Sequence, residues 1–220
     1  INSILKNYSY DKYTTITDNL QLQYWPIQNL FIKGNLAITK QIDRDEAFLS
    51  ASSSNFDNVT DSKEKGSFTT LNGNTVDLKG QLNISYNDNF FEKLYMSAGI
   101  GSEFSISKST SDGYTATGFL NDKLTHPSFA QQFKKNSIPS GSYSKKKQIG
   151  FYGNLNLNWD NRYILDGTIR ADGSSLFGRE SRFAPFWSVG AAWNVNQEEF
   201  WSGVGSLKIR ASVGSTGSTN

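Results

Sequence analysis

The strongest constraint in this chain is a period of two. Apolar and polar residues alternate over eight separate stretches, the mark of strands with one apolar and one polar face. Ile16, Leu20, Leu22 and Tyr24 alternate with Thr17, Asn19, Gln21 and Gln23. Leu30, Ile32, Leu36 and Ile38 alternate with Lys33, Asn35 and Thr39, and Val76, Leu78, Leu82, Ile84 and Tyr86 with Asp77, Lys79, Gln81, Asn83 and Ser85. A fourth run sets Leu94, Met96, Ala98, Ile100, Phe104 and Ile106 against Ser97, Gly99, Gly101, Glu103 and Ser105. A fifth sets Ile149, Phe151, Leu155, Leu157 and Trp159 against Gln148, Tyr152, Asn154, Asn156 and Asn158. Residues 163–171 form a less regular sixth run and 186–195 a seventh. The eighth sets Leu207, Ile209, Ala211 and Val213 against Lys208, Arg210 and Ser212. Several runs reach the ~9–11 residues of a tilted membrane strand, where globular strands usually stop near 5–6.

The connections alternate short and long. Short ones fall at 26–29, 87–93, 160–161 and, less tightly, 196–206. Long ones fall at 41–74, 109–146 and 172–185. Outer-membrane barrels keep this rule, with short periplasmic turns and longer extracellular loops. Aromatics gather where the runs meet the short turns: Tyr24, Trp25, Tyr86, Phe90, Phe91, Tyr95, Trp159 and Tyr163. Amphipathic rings favour the headgroup level of a membrane. Within the second long loop, Pro127 and the spacing of Phe129 and Phe133 predict a short helix over 127–135. The fold class expected is all-β: an antiparallel transmembrane β-barrel wall of about eight strands.

Composition agrees without deciding. Hydrophobic residues make up 36% and charged residues 19% of the 220, and mean hydropathy is negative. No apolar run approaches the ~20 residues of a membrane helix. Neither fact counts against a barrel, whose alternating strands average out to unremarkable hydropathy. The net charge of +2 is spread along the chain, unlike the clustered basic face that nucleic acid requires. The one basic run, Lys145-Lys146-Lys147, reads as a solvated loop end. The absence of cysteine removes disulfides, thiolate metal sites and Cys nucleophiles.

Residues 162–195 read RYILDGTIRADGSSLFGRESRFAPFWSVGAAWNV, followed by EEFW and LKIRASVGSTG. This stretch resembles the SusC/RagA-type TonB-dependent transporters, in which a strand ends in R-x-D-G-S-S-x-F-G and a short loop leads to R-[FW]-x-x-F-x-S-x-x-x-x-W. A later strand there reads LK-[IL]-R-[AV]-S-x-G-x-T-G. The matching residues are Arg170, Asp172, Gly173, Ser174, Ser175, Phe177 and Gly178, then Arg182, Phe183, Phe186, Ser188 and Trp193, then Leu207, Lys208, Arg210, Ser212, Gly214 and Gly217. Trp187 stands where the family usually has Pro. The resemblance implies that 1–220 are part of a single receptor β-barrel domain, about a third of a 22-stranded barrel. It places the plug domain and the TonB box outside this chain.

It further implies outer-membrane import of a nutrient such as an oligosaccharide or peptide. The implied partners are membrane lipid, a SusD-like surface lipoprotein and the TonB complex; no nucleic acid and no cofactor are expected. Asp172-Gly173-Ser174-Ser175 reads as turn chemistry. Arg170, Asp172, Arg179, Glu180 and Arg182 suit either an ion-paired structural loop or a ligand contact. Tyr114, Phe119, Phe129 and Tyr143 are candidates to stack on sugar rings, or to pack the loops themselves. No catalytic role is expected: the single His126 stands in a loop before Pro127, with no metal-spaced partner and no triad around it. Two other architectures suit the alternation: a complete small eight-stranded barrel or adhesin, and a soluble carbohydrate-binding β-sandwich.

Overall fold

A computed structural model describes residues 6–175, 183–203 and 205–215. The strands are β1 (Tyr8–Ile27), β2 (Leu30–Leu49), β3 (Ser67–Phe90), β4 (Leu94–Thr117), β5 (Gln132–Phe133), β6 (Ser140–Trp159), β7 (Tyr163–Ser174), β8 (Phe183–Asn194) and β9 (Lys208–Ser215). They form one sheet in the order β1-β2-β3-β4-β6-β7-β8-β9, with the two-residue β5 also on β4. β1 and β9 are the two ends of this path. A closed eight-stranded barrel would pair them, and a sandwich would divide the strands between two sheets; neither alternative describes the molecule.

Chain contacts divide the protein into two compact units. The unit of Asp18–Ile38, Leu78–Ile106 and Lys146–Asn220 keeps the alternation read from the sequence. Tyr163, Leu165, Ile169 and Trp193 of β7 and β8 share a face with Phe151, Leu155 and Leu157 of β6 and with Ile209 and Val213 of β9, as the pairings Leu157↔Leu165, Phe151↔Ala171, Trp193↔Ile209 and Val189↔Val213 require. This apolar face is open: Ile100 is 63% exposed, and Leu82, Phe104, Phe151 and Leu155 are exposed as well. Among the described residues no second layer covers it, so the solvent it fits is lipid. The opposite face carries Asn154, Asn156, Asp166, Thr168 and Ser188, with Thr168 and Ser188 hydroxyls 2.6 Å apart.

The turns of this unit follow the chemistry of tight hairpins. Asp160 and Asn161 have φ of 51° and 55°, the left-handed pair of a type I′ turn, which Asp and Asn tolerate. Phe91 and Glu92 adopt φ of 54° and 61° without that tolerance. The longer connection after β8 is built around Glu198. Its carboxylate accepts from the Tyr163 hydroxyl at 2.7 Å and the Trp193 indole at 2.9 Å, and Arg162 lies 3.5 Å away. Val195, in the same connection, is buried.

In the unit of Ile1–Thr17, Thr39–Asp77 and Ser107–Lys145 the strands outrun the alternation. The loops expected at 41–74 and 109–146 shrink to 50–66 and 118–139, because β2, β3, β4 and β6 continue through them. Likewise β1 begins at Tyr8 and not near Ile16. Hydroxyl pairs hold these polar stretches together: Thr69 with Thr115 at 3.0 Å, Thr75 with Ser109 at 3.1 Å and Ser111 with Ser142 at 2.8 Å. Where both faces are polar, strands leave no hydrophobic period to read.

The predicted helix at 127–135 is absent. A 3-10 turn spans Pro127–Phe129, capped by His126, and the chain then extends. Gln131 and Lys134 N–H groups donate to Thr117 and Thr115 carbonyls at 3.0 and 2.8 Å, which takes them from any helix. The small core here is aromatic: Phe48, Phe68 and Phe119 are buried, with Tyr8, Tyr114 and Ala130 packed on them. Phe48 and Phe119 meet edge to face at 5.2 Å. Asp122 ties 118–139 down, accepting from the Ser50 hydroxyl at 2.6 Å and pairing with Lys6 at 3.1 Å.

Candidate functional site

The richest polar arrangement lies on the face opposite the apolar one. Strand geometry puts Arg170 and Asp172, two residues apart, on the same side of β7. Arg170 Nε donates to the two Asp172 carboxylate oxygens at 2.8 and 2.7 Å. Its Nη2 donates to Glu103, which comes from β4. β6 runs between β4 and β7, and the residue that crosses under this triad is Gly150, paired with Asp172. A Cβ on Gly150 would stand 2.6 Å from Asp172 Oδ1 and 3.3 Å from Arg170 Nη2. Only glycine lets the three charges meet across the intervening strand.

Tyr152 extends the network. Its ring lies 5.9 Å from the Arg170 guanidinium carbon, within cation–π range. Its hydroxyl accepts from Gln81 at 3.0 Å and donates to Asn83. The ring lies against Gly101, where a Cβ would come within 2.4 Å of it. A cavity of about 490 Å³ opens here, lined by Lys79, Gln81, Glu103, Gln148, Arg170 and Asp172 among others.

The guanidinium cannot give up its proton and is held by two carboxylates, so this is neither an acid–base pair nor a nucleophile. Among the described residues no group of His, Cys, Asp and Glu could hold a metal ion. What the wall offers is a fixed set of amide, hydroxyl and carboxylate groups to a polar solute.

The expected residues separate on inspection. Arg170 and Asp172 meet as read. Gly173, Ser174 and Asp172 are not in a turn: β7 continues to Ser174, and Asp172 and Gly173 are paired on both sides, with Gly150 and Ile149 of β6 and with Ala184 and Phe183 of β8. Ladder pairing on both flanks has overridden their turn chemistry. Ser175 follows the strand; its N–H donates to the Lys147 carbonyl at 2.8 Å and its hydroxyl accepts from the Lys147 N–H at 3.0 Å. Phe177, Gly178 and Arg182 lie outside the described residues, and so does the expected Arg182–Asp172 pair.

The loop aromatics diverge. Phe119 is 1% exposed, inside the loop core. Tyr114 packs against Phe133 at 5.7 Å. Phe129 is exposed on its 3-10 turn. Tyr143 is exposed on β6, two, four and six residues before Lys145, Lys147 and Ile149, and shares their face. Glu103, Gly150 and Tyr152 escape a reading by local motif because they lie far along the chain from Arg170. Their common signal is a place on the polar side of alternating runs.

The TonB dependent receptor-like, beta-barrel family model matches residues 2–219. TonB-dependent receptor P26 of Formosa agariphila is 30% identical over 149 residues, 65% of this chain and 15% of that protein. TonB-dependent receptor SusC of Bacteroides thetaiotaomicron is 36% identical over 75 residues, 33% of this chain and 8% of that protein. The chain thus spans a small part of the length of these relatives. Among solved structures, the RagAB peptide transporter superposes with a TM-score of 0.85 at 21% identity, covering 96% of this chain and 23% of that one. That likeness is one of fold. The siderophore receptor PiuA from Acinetobacter baumannii follows with a TM-score of 0.54 at 12% identity. The family is one of outer-membrane receptors and not of enzymes. With an open apolar face, a polar face and a match along nearly its whole length, this chain belongs to the TonB-dependent receptor-like β-barrel family.

Proposed function

We propose that the protein serves TonB-dependent import of a nutrient, an oligosaccharide or a peptide, across the outer membrane. The observation that carries this reading is the two-sided sheet: an apolar side fit for lipid and a polar side bearing Arg170, Glu103, Asp172 and Tyr152. The likeness in fold to the RagAB peptide transporter supports a peptide substrate; the oligosaccharide class rests on the sequence resemblance. In this reading residues 1–220 belong to one barrel domain. A plug and a TonB box supplied by other parts of the protein gate it, and a SusD-like surface lipoprotein docks on the loop side.

Arg170 and Asp172 serve as wall structure, since Arg170 already has two carboxylate partners. Phe129, exposed at 118–139, is the loop aromatic best placed to stack on a substrate ring.

The test is deletion of the full-length gene in its host, with uptake of single oligosaccharides and peptides measured with and without an active TonB system. The expected result is loss of uptake for one substrate class, reproduced when TonB is disabled. Unchanged uptake of both classes, or uptake that survives the loss of TonB, contradicts the proposal.

A further inference from the structure

Two aromatic rings flank one guanidinium on the polar face of the sheet. The register places them: Tyr152 of β6 pairs with Arg170 of β7, and Arg170 pairs with Phe186 of β8. Residues paired in an antiparallel ladder point to the same side. Tyr152 stands two residues before Asn154, and Phe186 two before Ser188, so the row lies on the face that carries those polar side chains. Both rings are half-buried. Neither belongs to the buried aromatic core, which lies in the other compact unit.

The row is held in place before any ligand arrives. The Tyr152 hydroxyl bonds with Gln81 and Asn83 of β3, and β4 runs between β3 and β6. The ring therefore lies along the wall across β4, against Gly101, where a Cβ would collide with it. One side meets the sheet and the other faces away from it. Arg170 is fixed by Glu103 and Asp172 and fills the gap between the rings. Groups locked in this way lose little conformational freedom on binding.

The chemistry of the row indicates its ligand. Tyr152 and Phe186 are two strand spacings apart, ~9–10 Å, a distance that linked sugar rings span. The C–H side of a sugar ring can lie on an aromatic face while its hydroxyls bond with the amides at the edge. The charged residues lining the adjoining cavity cancel, Lys79 and Arg170 against Glu103 and Asp172, which fits an uncharged solute. A short peptide brings an ammonium group, and Glu103 and Asp172 are both already held by Arg170. On β6 the row stands between Ile149 and Trp159 of the apolar face. It thus lies within the lipid-facing span, where a solute arrives only after passing the loops.

We infer that the row Tyr152, Arg170 and Phe186 is a wall subsite for a neutral oligosaccharide, with the rings making the contact and Arg170 bracing them. This rests on the import role proposed above and narrows its substrate class.

The experiment uses the full-length protein in detergent, with binding followed by calorimetry for three probes of matched length: neutral hexose oligosaccharides, hexuronate oligosaccharides and short peptides. Wild type should bind a neutral oligosaccharide. Phe186→Leu keeps the apolar bulk and removes the ring; it should weaken that binding roughly 2–10-fold, the range for one ring contact. Phe186→Tyr should regain most of the loss. Tyr152→Phe, which releases the ring from Gln81 and Asn83, should also weaken binding. Thermal unfolding of Phe186→Leu should stay close to wild type. Unchanged affinity in Phe186→Leu overturns the subsite, and a lowered Tm with unchanged affinity marks the row as packing for another part of the protein. Wild-type binding of peptides or hexuronates alone, or of none of the three probes, overturns it as well. If TonB-dependent uptake of an oligosaccharide is confirmed while Phe186→Leu keeps full affinity, only the subsite fails. If deletion of the gene leaves all uptake intact, the import role fails with it.

Discussion

Arg170 shows how a charged residue can be immobilised on a wall that faces water. Two carboxylates from different strands hold it, and its guanidinium is stacked near Tyr152. Each pair alone, being partly exposed, contributes little, about 0–1 kcal/mol. Their common dependence on Gly150 makes the arrangement a unit. Gly150→Ala would put a methyl group 2.6 Å from Asp172 Oδ1, so the triad must shift or break. Overpacking of this kind costs roughly 1–3 kcal/mol. Thermal unfolding of the full-length protein should show Gly150→Ala at least as destabilising as Asp172→Asn. Because the proposed role is structural, the remaining folded Asp172→Asn protein should keep its substrate affinity; unchanged stability with weakened binding would make this segment a binding element.

Strands and loops carry the next set of expectations. On β4 and β6, Ile100, Phe151 and Leu155 point to the open apolar face. Ile100→Arg near the middle of that face should cost ~2–4 kcal/mol in refolding equilibria in lipid, while Asn154→Arg on the polar face should cost much less. The loop at 118–139 depends on a carboxylate. Hydrogen bonding by the Ser50 hydroxyl holds Asp122 below the usual aspartate range; burial pushes the other way less strongly, and the Lys6 ammonium adds a smaller downward pull. A lowered folded-state value means that the stabilisation is complete above the ordinary value of ~3.9 and disappears as pH falls through the lower one. Residues 118–139 should therefore resist protease at neutral pH and open to pepsin as the pH falls below about 4; Asp122→Ala should be cut already at neutral pH. Resistance unchanged by both would show that the aromatic core alone holds the loop.

Much of the element structure was legible because lipid on one side and water on the other imposes a strict period, as along Ile149–Trp159. The upper strand ends were not, because Thr69, Ser109 and Ser111 sit where both faces are polar and pairing is carried by hydroxyls and backbone. Of the candidate site, Arg170 with Asp172 was readable from spacing. Glu103 and Gly150 required knowledge of which strands are neighbours.

At the scale of the molecule, β1 and β9 each leave one edge without a partner among the described residues. Unpaired backbone groups are not tolerated in hydrocarbon. Residues 1–220 expressed alone should fail to insert stably and should be extracted from membranes by urea, whereas the full-length protein should resist. The central claim is that one face of this sheet meets lipid and the other an aqueous lumen. Since the chain contains no cysteine, single cysteines can be placed one at a time along β6, from Phe151 to Asn158, in the full-length protein on a cysteine-free background. Labelling intact membranes with a charged, water-soluble maleimide should mark positions 152, 154 and 156 and spare 151, 155 and 157, with a lipid-soluble reagent giving the reverse. Uniform labelling along the strand, or water access at 151, 155 and 157, would contradict the account.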